Sequence, residues 1–144
     1  MKKIISAITG LFIFIFLLSF NSYALDIAVI VNSSGPLTNA SRSDVKNIYL
    51  GDKRYEGGIQ IVPFLFPEGG VKEIFLKDML IMTPKQYKIY WTRKMFQDGV
   101  PVPKTYSYPD DILKSVRNNK GGIGFLPKEA IDNLNFLKVI MVIK

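Results

Sequence analysis

The chain has 144 residues, 48% of them apolar, and a formal net charge of +7, with no cysteine and no histidine. These absences exclude disulfides and a thiolate nucleophile, and they remove the commonest general base and the usual ligands of zinc or copper. The lysines are scattered over several segments, so the basic balance does not indicate a nucleic-acid partner. Composition therefore favours a binding role over catalysis and predicts no cofactor and no metal site.

The N-terminal segment has the pattern of a cleaved secretory signal. Lys2 and Lys3 form a positive region, Leu11–Phe20 is apolar, and the sequence SYA, which ends at Ala24, fits a cleavage site. The alternative is an uncleaved anchor, but the apolar run is shorter than the roughly 20 residues that a membrane span needs. We therefore expect a periplasmic or secreted protein that is cleaved after Ala24 and has one domain over residues 25–144.

The first predicted elements are a strand and a helix. The run Asp26–Val31 is apolar and β-branched, which predicts a buried strand. Ser41 with Asp44 three residues later is typical of a capping box, and Gly51 indicates where the helix ends. The next apolar run, Ile59–Phe66, predicts a second strand.

Three helices and two strands follow in the remaining pattern. Pro63 within the second strand favours an edge position or an early stop. A helix then begins at the glycine pair Gly69 and Gly70, and another begins at Pro84 with an aromatic stripe that we interpret as core. After a proline-rich loop come a helix from Pro109 and two apolar runs, GGIGFLP and FLKVIMVIK. The order β-α-β-α-α-α-β-β predicts an α/β fold with a mixed sheet flanked by helices.

Residues typical of catalysis occur only as fragments of known patterns. Ser43 and Lys46 match S-x-x-K, but the companion S-D-N and K-T-G motifs of penicillin-recognising enzymes are missing. Asp110 and Asp111 are adjacent rather than facing, and acids in a helix's first turn usually complement its dipole. The sequence GIG at 122–124 lacks the third glycine of a dinucleotide fingerprint. We therefore predict no catalytic residue and no enzymatic activity.

The glycine pair is the best candidate for a binding site. A strand followed by a glycine turn and a helix can present the backbone N–H groups of Gly69, Gly70, Val71 and Lys72 to an anion. The alternative is that the glycines serve only the turn. Glu68 stands directly before the pair, and a fixed carboxylate repels a bound dianion unless a cation such as Lys72 compensates.

Several short motifs, in order, resemble those of the phosphate-type substrate-binding proteins of ABC transporters, a branch of the type II periplasmic binding protein superfamily. They are Ile48-Tyr49-Leu50-Gly51, Tyr90-Trp91, Phe96 and Gly122-Ile123-Gly124-Phe125, and the likeness covers nearly all of Asp26 to Val142. The resemblance implies an exported α/β lobe that binds a small inorganic anion without catalysis and passes it to a membrane permease. Members of that family have two lobes, whereas this chain has the length of one. The runs DIAVIV and FLKVIMVIK resemble the strands that cross the hinge between lobes.

At the ligand site the chain differs from the family. The family grips phosphate with an arginine before the turn and S-G-T at the helix start, whereas residues 64–71 read FLFPEGGV. Only the backbone donors of Gly69, Gly70, Val71 and Lys72 therefore carry over, and phosphate specificity does not.

Two functions remain as hypotheses. In the first, the protein binds a small anion at the glycine turn, with Ser33 and Ser34 as second contacts. In the second, it is an interaction module that binds an envelope protein, or a second copy of itself, through the face where another lobe would pack. Loop tyrosines Tyr55, Tyr106 and Tyr108 motivate the second hypothesis, because exposed tyrosines favour interfaces.

Overall fold

The computed structural model describes residues 24–144, so the predicted signal segment lies outside the described residues apart from Ala24. The strands are β1 Ile27–Asn32, β2 Tyr55–Glu56, β3 Ile59–Gln60, β4 Val62–Leu65, β5 Lys104–Thr105, β6 Gly122–Pro127 and β7 Leu137–Ile143. The helices are α1 Arg42–Tyr49, α2 Gly70–Phe75, α3 Pro84–Asp98 and α4 Pro109–Asn118, and a π-helical turn, Leu76–Leu80, continues α2. None of the helices in residues 24–144 combines the length and the apolar character that crossing a bilayer requires.

The predicted α/β fold is confirmed. All eight predicted elements are present in the predicted order, and the structure adds the short β2–β3 hairpin and β5. Five of the described strands form one mixed sheet in the order β5-β4-β6-β1-β7. Strand β1 is antiparallel to β6 and β7, whereas β4 is parallel to β5 and β6. We call the edge where β4, β5 and β6 end the carboxyl edge, and the edge where they begin the amino edge.

The internal strand β1 faces two layers of the core. Its alternate residues Ile27, Val29 and Val31 pack with α1, α2 and α3, while Ile30 packs with α4 on the other face. All six residues of β1 are buried, as expected for a strand with a neighbour on each side and helices on both faces. This explains why its sequence is continuously apolar rather than alternating.

Of the two alternatives predicted from Pro63, the edge position was wrong, because β4 lies between β5 and β6. The predicted run Ile59–Phe66 is also split, with its first two residues in the β2–β3 hairpin. Val62 N donates to Gly121 O at 2.9 Å, so the nitrogen of Pro63 faces the β5 side. Pairing with β5 starts only at Phe64. Proline is tolerated here because no ladder hydrogen bond is needed at its nitrogen.

An aromatic cluster ties the helices to the sheet. The ring centroids of Phe75 and Phe125 are 3.8 Å apart in a stacked pair, and Tyr49 meets Phe75 edge-on at 4.8 Å. The backbone carbonyl of Tyr49 accepts hydrogen bonds from Tyr87 Oη at 2.9 Å and from Trp91 Nε1 at 3.2 Å. The interpretation of the α3 aromatic stripe as core is confirmed for Tyr87 and Trp91.

Helix α4 packs very closely on β6. A Cβ at Gly124 would lie 2.6 Å from Ile112 Cγ2, and one at Gly122 would lie 2.9 Å from Asn119 O. Such distances leave no room for a side chain, so these glycines permit helix–strand contact. They therefore have a packing role and form no part of a dinucleotide site.

Candidate functional site

The glycine turn lies at the carboxyl edge of the sheet. Strand β4 ends at Leu65, the chain passes through Glu68, and α2 begins at Gly70. Gly69 has φ 140° and ψ −172°, a backbone conformation that is essentially restricted to glycine. Gly69 is therefore required by the path of the backbone, whatever the site binds.

The first N–H groups of α2 are available as donors. The first intrahelical bond runs from Glu73 N to Gly69 O at 3.0 Å, so the N–H groups of Gly70, Val71 and Lys72 precede it. No described side chain caps this helix start. Both glycines are exposed, and a Cβ at either position would meet no atom within 4 Å. The geometry leaves open space and unpaired donors at the same point.

Glu68 binds the lysine and does not occupy the backbone donors. Its Oε1 lies 2.5 Å from Lys72 Nζ. The Glu68 side chain is 74% exposed, whereas that of Lys72 is only 10% exposed. The expected compensation between Glu68 and Lys72 is present, and it means that the lysine's charge is already neutralised by the protein.

A second helix start lies at the same edge. Tyr106 N donates to Leu65 O at 3.1 Å, which brings the segment after β5 alongside the end of β4. Helix α4 then begins at Pro109 with Asp110 and Asp111 in its first turn. Hydrogen bonding to Ser115, and then to Lys104, lowers the pKa of Tyr106 below its ordinary value of 10.0. The carboxyl edge therefore carries acidic as well as basic groups.

The proximity of this second helix start to the glycine turn is not evident from the sequence. A strand pattern in the proline-rich loop would have indicated this proximity, but β5 has only two residues, Lys104 and Thr105. Such a short strand has no detectable period.

Ser33 and Ser34 do not join the glycine turn, and this part of the predicted site is corrected. The register pairs Val31 with Ile123, and Val62 with Gly122, so the end of β1 lies at the amino edge. The length of β4, roughly 10 Å at about 3.3 Å per residue, separates that edge from the carboxyl edge. The error arose because strand β1 runs antiparallel to β4, which no local pattern reveals.

Asn32 organises the loop that contains the two serines. Its Nδ2 donates to the backbone carbonyls of Val116 and Arg117 at 3.1 and 2.8 Å, and its Oδ1 accepts from Ser34 N at 2.9 Å. Asn32 is 5% exposed. The side chain thus links the end of α4 to the loop.

The three tyrosines proposed for partner binding do not form one surface. Tyr55, 58% exposed, lies in the hairpin that precedes β4 at the amino edge. Tyr108, 68% exposed, follows β5 at the carboxyl edge. Tyr106 is half-buried, and its ring centroid lies 5.6 Å from that of Phe64. Only Tyr106 and Tyr108 are placed to share an interface.

Comparison with known proteins identifies relatives of the fold. No protein-family model matches the chain, and no curated protein matches its sequence. The structure is similar to an ABC-type phosphate transport receptor from Vibrio cholerae, with a TM-score of 0.61 and 18% identity over 81% of this chain and 46% of the receptor. It is similarly related to a protein assigned as a phosphate ABC transporter substrate-binding protein from Clostridium perfringens, solved with bound phosphate. The TM-score is 0.61, with 16% identity over 81% of this chain and 45% of that one.

These similarities confirm the predicted fold, a mixed sheet flanked by helices that resembles the lobe of a periplasmic binding protein. The chain spans less than half the length of either protein. At such low identity the likeness concerns fold alone, because one fold hosts many functions.

Proposed function

We propose that the protein is an exported, non-enzymatic solute-binding protein that holds a small anion at the glycine turn. The observation that carries this proposal is the uncapped start of α2, where the N–H groups of Gly70, Val71 and Lys72 precede the first intrahelical bond and the space beside Gly69 and Gly70 is open. Oriented backbone N–H groups at a helix start favour negative charge. The similarity of fold to two phosphate-binding proteins of transporters supports the same role.

The chemistry of the turn favours an anion of low charge. Residues 64–71 contain no arginine and no hydroxyl side chain, so backbone donors supply the contacts. Glu68 lies in the same segment and Asp110 and Asp111 lie at the same edge. Because these carboxylates repel a dianion, a singly charged anion is the better ligand.

Isothermal titration of the purified protein with phosphate, sulfate and nitrate tests this proposal. Gly70→Pro removes one N–H donor, yet proline fits the first position of a helix, so the fold is preserved. We expect this change to weaken binding about tenfold or more, since a hydrogen bond to a charged ligand is lost. Gly70→Ala is the matched control, because it keeps the donor. Absence of both heat and thermal shift at millimolar anion contradicts the proposal.

Export and a transporter partner belong to the same proposal. Cleavage after Ala24 would release residues 25–144 to the periplasm or the medium, where an ABC permease could receive the ligand. Mass spectrometry of the exported protein checks the cleavage site. Retention of Met1 on protein from the membrane fraction contradicts it.

The alternative function is an interaction module of the cell envelope. The observation that favours it is the exposed Tyr108 at the carboxyl edge, where half-buried Phe66 also lies. Tyrosine and phenylalanine are enriched in interfaces. A second copy of the chain or another envelope protein would cover this edge. Sedimentation tests the homodimer, and a strict monomer with no partner in a pull-down contradicts the alternative.

A further inference from the structure

A surface pocket of about 180 Å³ lies beside the glycine turn, between α2, α3 and β5. Its walls are mostly apolar and include Leu65, Trp91, Met95 and Val102. Met95 is 42% exposed and Val102 is 45% exposed, so both leave apolar surface in contact with water. A ligand with an apolar body would gain free energy by covering them.

The polar part of the pocket is centred on Lys72. Glu68, Lys72 and Lys88 are the charged residues that line it, which gives the lining a net positive charge. Lys72 is largely buried, and the carboxylate that pairs with it belongs to the exposed Glu68 side chain. Lys88 forms no ion pair within residues 24–144.

Glu68 can be exchanged for another carboxylate at little cost. Because its side chain is 74% exposed, it can leave Lys72 and enter water without uncovering a buried surface. A ligand carboxylate would replace it on the lysine, so the ammonium group remains paired. The ligand then adds the burial of its apolar chain against Trp91 and Leu65, which Glu68 does not provide.

We propose that this pocket binds a small free monocarboxylate with a short apolar chain, and that Glu68 is a tethered competitor of this ligand. The size follows from the volume, since an apolar cavity of about 150 Å³ accommodates benzene. A pocket of about 180 Å³ therefore holds roughly seven or eight non-hydrogen atoms, such as hexanoate. The pocket uses Nζ of Lys72, whereas the glycine turn uses its backbone N–H, so this site is additional to the proposed anion site.

Fluorescence provides a direct measurement, because Trp91 is the single tryptophan of the chain and lines the pocket. Titrating the full chain with hexanoate and with hexanol compares two ligands of similar size that differ in charge. We expect hexanoate to change the Trp91 emission with saturation and to bind about tenfold or more tightly than hexanol. Equal binding of the two compounds overturns the proposal, as does the absence of a response at millimolar hexanoate.

Three variants separate the proposed site from a structural ion pair. Lys72→Met shortens the side chain by one atom and removes its charge, so hexanoate should bind about tenfold or more weakly while hexanol is unaffected. Lys85→Met makes the same charge change on α3 outside the pocket, and we expect hexanoate binding within about twofold of the original. Glu68→Gln removes the competitor from an exposed position and should tighten hexanoate binding about two- to fivefold.

The outcome of Glu68→Gln keeps the proposal testable even if Lys72→Met fails to fold. If Glu68 and Lys72 form a purely structural pair, Glu68→Gln should not tighten hexanoate binding. Unchanged or weaker binding in this variant therefore contradicts the proposal that hexanoate replaces Glu68 on Lys72. Failure of phosphate, sulfate and nitrate to bind would count against the anion site alone. Failure of hexanoate would count against the pocket alone.

Discussion

Two kinds of helix start occur in residues 24–144. In α1 and α3 a hydroxyl side chain accepts a hydrogen bond from a backbone N–H of the first turn. Asp44 N donates to Ser41 Oγ at 3.1 Å, and Gln86 N donates to Thr83 Oγ1 at 3.1 Å. In each of these capping boxes, the backbone N–H of the cap residue donates in return to the side chain of the third helical residue. In α2 the corresponding position is Gly69, which has no side chain to offer. Helices α1 and α3 are thus closed by capping side chains, whereas α2 and α4, which both begin at the carboxyl edge, have no side-chain cap.

The uncapped start of α2 is stabilised by residues further along the helix and in the π-helical turn that continues it. Phe75 and Leu76 are fully buried, so packing holds α2 in place without a cap. The nearby carboxylate Glu68 pairs with Lys72 instead of the backbone. Core packing therefore stabilises α2, and its first backbone donors have no side-chain cap.

The largest expected effect is that of Gly69→Ala. The backbone of Gly69, with φ 140°, is strained for any residue with a Cβ, although the Cβ itself would meet open space. We expect a loss of about 1–3 kcal/mol in the free energy of unfolding, measured by urea denaturation. Gly70→Ala is the control and should change stability by less than about 1 kcal/mol in either direction. Equal effects of the two changes would show that the backbone at Gly69 is not special.

Removal of a cap from a closed helix start is the next effect in size. Thr83→Ala deletes the oxygen that accepts from Gln86 N, and we expect a loss of about 1 kcal/mol of unfolding free energy. Thr92→Ala, an exposed position within the same helix, is the matched control and should be neutral or slightly stabilising. Equal losses at both threonines would argue against a capping role for Thr83.

Acid should weaken the closed start of α1 through Asp44. The side chain of Lys53 and then the backbone N–H of Ser41 lower the pKa of Asp44 from its ordinary 3.8 to about 2. Its contribution to stability is therefore fully present above about pH 4 and is lost as the pH falls to about 2. Asp44→Asn should cost about 0.5–1 kcal/mol at neutral pH and less near pH 2. A pH-independent effect of Asp44→Asn between pH 2 and pH 6, measured by thermal unfolding, contradicts this assignment.

The smallest expected effect on stability is that of Glu68→Gln. The Glu68 side chain is mostly exposed and does not cap the helix, so we expect a change of about 0.5 kcal/mol or less. Chemical denaturation of Glu68→Gln and of Asp44→Asn measures the change in unfolding free energy for both variants. It thereby compares a carboxylate that closes a helix start, Asp44, with one that does not, Glu68. A loss larger than that of Asp44→Asn would mean that the Glu68 carboxylate holds the turn together.

Local patterns predicted much of the fold. The capping box at Ser41 and the proline start at Pro84 involve contacts within four residues, so the amino-acid order contains them. The glycine start at Gly69 was predicted for the same reason. Strand β5 was missed because its two residues form a strand only through pairing with Phe64 and Leu65.

The sequence by itself determined the α/β class, the order of the main elements and the residues of the glycine turn, because these depend on local periodicity and backbone preference. Only the tertiary structure decided which loops meet. It placed Ser33 and Ser34 at the amino edge and Tyr108 at the carboxyl edge, since strand direction and pairing are set by contacts distant in the chain. It likewise decided that the Lys72 side chain is only 10% exposed, whereas that of its local partner Glu68 is 74% exposed.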